Sequence, residues 1–172
     1  MTELSIIGLM SGTSADGIDA AILLTDGRTM TRTGCSGHFD YRPETRQAIR
    51  ACCADPAVFL ADLAARASLD RAIAVDHAAA VQALCADFEG NIDLIGFHGQ
   101  TVLHRPDQGV SVQLGSASHL AELTGLPVVS QFRQNDLAHG GEGAPIAPIF
   151  HAAVMENAGI KPPAAVANIG GI

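Results

Sequence analysis

A chain of 172 residues suits a single domain by size, and 48% hydrophobic content is ample for a core. Ten Lys and Arg against eighteen Asp and Glu leave a formal net charge of −8, which excludes the basic face that nucleic-acid binding needs. No apolar run is long enough to span a membrane, and Met1-Thr2-Glu3 lacks the start of a secretory signal, so a cytoplasmic protein is expected.

The first elements are two apolar runs, Leu4 to Met10 and Ile18 to Leu24, flanking seven residues made almost entirely of Gly, Ser, Thr and Asp. That pattern predicts a hairpin whose tip is rich in N–H and hydroxyl donors. Gly12 and Gly17 allow positive φ, and Ser11, Thr13 and Ser14 add hydroxyls, so the turn can wrap amides around a phosphate. A P-loop is excluded, because it needs Gly-Lys-Ser/Thr and the only lysine is Lys161. The plain alternative is an ordinary tight hairpin in which Asp16 and Asp19 solvate the turn.

Thr25-Asp26-Gly27-Arg28 reads as a second turn, and residues 28–39 as a third antiparallel strand. Pro43 marks a helix start, and Asp55-Pro56 is an N-cap followed by a first-turn proline. The alanine-rich stretch from there to about Phe88 predicts one long helix or two, with a break near Ser68. Ile92 to Phe97 is a short buried strand that delivers His98-Gly99-Gln100 at its end, where α/β sheets commonly contact ligands. Val110 to Leu114 is another strand. A helix starts at Ser116 or Ser118 and runs to Thr124, with Gly125 as its stop. Pro127 to Ser130 is a strand leading into a loop over 131–145. A helix from about Ala147 to Ala158 and a last strand from Ala165 to Asn168 complete the order.

Cys35, Cys52, Cys53 and Cys85 form no C-x-x-C pair, and the seven histidines show no H-E-x-x-H spacing. Reduced thiols and no structural metal are expected.

Four segments together are specific. They are Met10-Ser11-Gly12-Thr13-Ser14-Ala15-Asp16-Gly17-Ile18-Asp19; Gly96-Phe97-His98-Gly99-Gln100-Thr101-Val102; Phe132-Arg133-Gln134-Asn135-Asp136 with Gly140 to Pro145; and Asn168-Ile169-Gly170-Gly171-Ile172. In this order they resemble the anhydro-N-acetylmuramic acid kinase family, over residue 6 to the last residue. The resemblance implies a ribonuclease-H-like lobe of the actin, hexokinase and Hsp70 superfamily. It implies an ATP-dependent kinase that hydrolyses the 1,6-anhydro bond of a recycled cell-wall sugar and phosphorylates O6, and a homodimer in the complete protein. Residues 1–130 correspond to the lobe with the hairpin, and 131–172 to a substrate loop, a helix and the start of a second lobe. The chain is therefore expected to be an N-terminal portion, inactive alone.

On this resemblance, Ser11, Gly12, Thr13, Ser14, Ala15, Asp16, Gly17, Ile18 and Asp19 are the ATP-binding candidates. Asp16 is the Mg²⁺ candidate, because a carboxylate beside phosphates needs a cation between them; its plain alternative is an Asx turn. Arg133 suits a bidentate grip on the substrate's lactyl carboxylate, with Asp136 orienting it or holding a sugar hydroxyl. A structural salt bridge within the loop is the alternative there. Gln100 is a candidate for a sugar hydroxyl, while His98 alone reads as a core histidine. His139 carries no role, and Glu142 stands where the family commonly has Gln. The family's general base lies in a D-T-G-P-G-N segment that these 172 residues do not contain, so no catalytic residue is assigned. Two readings compete with this one: a kinase for another anhydro sugar such as levoglucosan, and a non-catalytic lobe that folds or dimerises.

Overall fold

A computed structural model describes residues 3–167. Its centre is a six-stranded mixed sheet. Strands β1 (Leu4–Ser11), β2 (Ile18–Thr25) and β3 (Met30–Phe39) form an antiparallel meander, as the two apolar runs and the intervening turns lead one to expect. The β2–β3 turn is held by Asp26, whose Oδ1 accepts from the N–H groups of Arg28 and Thr29 at 2.9 and 2.8 Å. Strand β4 (Leu94–Arg105) then lies parallel to β1. The order is β3-β2-β1-β4-β5, with β5 being Val110–Leu114, and β6 (Val128–Ser130) runs parallel to β4. This open mixed sheet with flanking helices is the ribonuclease-H-like arrangement.

The helices carry the signals that the residues give locally. Helix α1 (Pro43–Ala54) opens on its proline and buries Thr45, Ile49 and Cys52. Asp55 caps the short α2 (Pro56–Ala61) by accepting from Val58 N–H. The long α3 (Leu63–Cys85) lays Leu69, Ile73, Ala74, Ala78 and Val81 into the core with Ile7, Leu9, Ile22, Ile95 and Phe97 of the sheet. The expected break near Ser68 lies instead at Asp62, whose carboxylate accepts from Ala64 and Ala65 N–H, both at 3.0 Å. A capping carboxylate ends one helix and starts the next more effectively than a serine inside a run of helix formers. Helix α4 (Ala117–Thr124) is capped by Ser116 and stopped by Gly125 in the left-handed region.

Three further differences shape the site. Strand β4 does not end at Phe97: it continues through His98-Gly99-Gln100 to Arg105, because β5 pairs antiparallel with that second half. The loop 131–145 contains a short helix α5 (Gln134–Ala138). Helix α6 (Ala147–Asn157) forms as expected, but 165–167 are irregular rather than strand; Asn168 and the glycine turn after it lie outside the described residues.

Leu9 pairs with Phe97, and Phe97 with Ser130, so these residues of three parallel strands stand abreast. The segments that leave β1 and β6 therefore emerge at the same end of the sheet, on either side of His98-Gly99-Gln100.

Candidate functional site

The first part of the site is the turn between β1 and β2. Ala15 N–H closes it by donating to Gly12 O at 3.1 Å. The residue with positive φ is Ala15 (φ 52°), not Gly12 or Gly17 as expected. Gly17 is demanded by packing instead: a Cβ there would strike the His38 imidazole and lie 2.7 Å from Phe39 O. At Gly12 an added Cβ would meet only Ser14 Oγ, at an ordinary 3.6 Å. Thr13 and Ser14 are exposed, and their N–H groups donate to no partner among the described residues. Ala15 and Ile18 are buried, so only their backbone is available to a ligand.

Gln100 fixes this turn from behind. The Gly99 bulge (φ 74°) sets His98 and Gly99 of β4 against the single Met10 of β1, so that Gln100 shares the face of Phe97. Its Nε2 donates to Gly12 O at 2.8 Å and Thr101 O at 3.1 Å, and its Oε1 receives the hydroxyls of Ser11 (2.5 Å) and Tyr41 (3.3 Å). Ser11 Oγ also lies 3.0 Å from Gly17 O, so it bridges both ends of the turn to β4. Gln100 and Ser11 are fully buried, and burial pushes the Tyr41 phenol up as well. Where the sequence reading expects a sugar contact for Gln100, both its amide donors and its carbonyl are occupied in bracing the turn. Ser11 likewise spends its hydroxyl inside.

The acidic candidates differ from each other. Asp16 is exposed, and Oδ1 accepts from Ser14 Oγ at 2.9 Å and Gly17 N–H at 3.1 Å. The Ser14 hydrogen bond, foremost, holds its carboxyl below the usual range. These contacts match the Asx-turn alternative, yet Oδ2 is left to solvent. Asp19 instead pairs with His38 Nδ1 at 2.8 Å, a contact that raises the His38 pKa. No group of three His, Cys, Asp or Glu side chains suited to a metal occurs among the described residues.

The second part lies where the chain leaves β6. Arg133 and Asp136 do not pair among the described residues, so the alternative of a structural salt bridge within the loop is not what holds them. Its Nε and Nη2 converge on His98 Nε2 at 3.1 and 2.9 Å, and Nη1 donates to Gly143 O at 2.7 Å. Asp136 Oδ2 accepts from Gly143 N–H at 2.7 Å, so both side chains hold the same glycine and draw 134–143 into a closed loop. Rather than lying in the core, as a histidine alone after a buried strand suggests, His98 sits half-buried beside a cleft of about 660 Å³ that Gln113, Ser130, Gln131 and Gln134 also line. A glycine inside a strand was the one signal for its placement, since a bulge there turns successive side chains to new faces.

A ribonuclease-H-like domain with a donor-rich turn and an arginine-bearing loop at one end of its sheet is thus defined by fold and site. The family model described as anhydro-N-acetylmuramic acid kinase matches residues 4–172. Proteins named anhydro-N-acetylmuramic acid kinase are similar: that of Agrobacterium fabrum is 46% identical over 96% of this chain and 47% of its own length. That of Rhodopseudomonas palustris is 44% identical over 98% and 48%, and that of Acidiphilium cryptum 48% identical over 96% and 45%. The chain belongs to the anhydro-N-acetylmuramic acid kinase family. It spans about half the length of the curated relatives it matches.

Proposed function

We propose that this chain supplies the ATP-phosphate and sugar-carboxylate contacts of a cytoplasmic anhydro-N-acetylmuramic acid kinase, the remainder of whose site comes from the part of its relatives that the chain does not span. The observation that carries this reading is the braced turn: free Thr13 and Ser14 N–H groups are held rigidly at the end of a parallel strand by the Ser11–Gln100 contact. Amides fixed in advance lose little freedom when phosphate oxygens accept from them. Asp16, ionised and open on one oxygen, would hold a Mg²⁺, which when bound would neutralise charge on the ATP phosphates. Arg133 and Asp136 address the sugar, Arg133 through its lactyl carboxylate. Water adds at C1 as the C1–O6 anhydro bond breaks, and the freed O6 takes the γ-phosphoryl group of ATP while ADP and a proton leave.

The D-T-G-P-G-N segment that carries the family's general base does not occur in these 172 residues, and the phosphates would face water on one side. The test is an ADP-release assay with anhydro-N-acetylmuramic acid. A protein of the relatives' length should turn over in the range of about 1–100 s⁻¹ typical of kinases. The 172-residue chain alone should show no turnover. Turnover by the short chain, or none by the long one, would overturn the proposal.

A further inference from the structure

Arg133 has five N–H groups, and three of them are engaged: two on His98 Nε2 and one on Gly143 O. One N–H remains on each terminal nitrogen, available to donate to a carboxylate. For His98 Nε2 to accept from a guanidinium it must carry a lone pair. The proton therefore sits on Nδ1, which lies 2.8 Å from Gly99 O and donates to it. The ring is locked at both ends: by the carbonyl at the strand bulge on one side and by Arg133 on the other.

We infer that His98 is the positioning residue that sets the Arg133 fork for an anionic sugar substituent, and so fixes the preference for a carboxylate-bearing anhydro sugar over a neutral one. The inference rests on the Arg133 assignment proposed above. Charge supports the neutral ring. Burial, and then the Arg133 charge, hold the His98 pKa below the ordinary imidazole value, with only the Gly99 carbonyl pulling the other way. Arg66 and Asp70 of α3 line the same cleft as His98, and burial keeps the nearby His77 neutral. The Gly99 bulge is what allows one strand to serve both parts of the site. Gln100 turns in to the phosphate loop, while His98 points to the arginine loop.

The experiment compares KM for anhydro-N-acetylmuramic acid and for the anhydro-N-acetylglucosamine analogue that lacks the lactyl group, in the protein of the relatives' length. His98→Leu should narrow the KM ratio between the sugars by about tenfold, the scale of a lost charged hydrogen bond. His98→Gln, which can still accept through Oε1, should restore much of it. If Arg133→Ala collapses the ratio while His98→Leu leaves it at the wild-type value, the inference fails and the Arg133 reading survives. If Arg133→Ala leaves the ratio intact, both fail together. Should the leucine variant not fold, nitrogen NMR of the wild-type ring decides: unprotonated Nε2 is expected, and a proton on Nε2 overturns the inference.

Discussion

Ser11 and Gln100, 89 positions apart in the chain, meet at 2.5 Å between the parallel strands β1 and β4. This contact couples the candidate phosphate turn to the bulged strand, and it makes the shape of the turn a property of the core. Gln100→Leu should destabilise the protein by about 3 kcal/mol, since Gly12 O and the Ser11 hydroxyl would be left without this partner in a dry site. Thermal melts read the loss, and a variant as stable as wild type would show that the brace is dispensable.

Gly12 and Gly17 should behave oppositely. Gly12 has room for a side chain, so Gly12→Val should leave the melting temperature close to wild type while weakening ATP binding by about tenfold or more, through bulk where phosphates approach the backbone. Gly17→Ala drives a methyl group into His38 and the Phe39 carbonyl, and should lower stability by about 1–3 kcal/mol. Calorimetric titration beside thermal unfolding separates the two. Unchanged ATP affinity in Gly12→Val would remove the turn from the nucleotide site.

Gly99→Ala is expected to cost about 2 kcal/mol or more. Its φ of 74° disfavours any Cβ, and the new atom would lie 2.6 Å from Leu114 O. Because the bulge aims both neighbours, this variant should impair ATP and sugar affinity together; loss of only one would mean that the two parts are not coupled through β4.

His77 sets a pH dependence. It is buried between Tyr41 and Phe97 with Nδ1 donating to Ile73 O, and burial pushes its pKa down to about 4. Between its unfolded value of about 6.5 and that lowered one, the unfolded chain binds a proton that the folded chain refuses. Stability is therefore full above about pH 6.5 and falls as pH drops toward 4, by up to about 3 kcal/mol from this group. His77→Phe should flatten that part of a stability-against-pH curve. An unaltered slope would assign the acid sensitivity to other groups.

The sequence by itself determined the elements whose causes are local. The hairpin runs, Asp55 before Pro56, Ser116 and Gly125 around α4, and the polar turn after β1 all stand where the residues put them, because caps, turns and strand alternation act within a few positions. The motif segments also carried the family. Tertiary structure alone decided what each candidate does. The Gly99 bulge reverses the parity of β4, spending Gln100 on the turn and giving His98 to Arg133; it depends on register against β1 and β5, which no local preference states. Arg133 and Asp136, three apart, share Gly143 instead of pairing, because that glycine folds back between them. Asp19 goes to His38 because the β2–β3 register sets them directly opposite. Such partners are fixed by long-range pairing and burial, and these exist only once the sheet has formed.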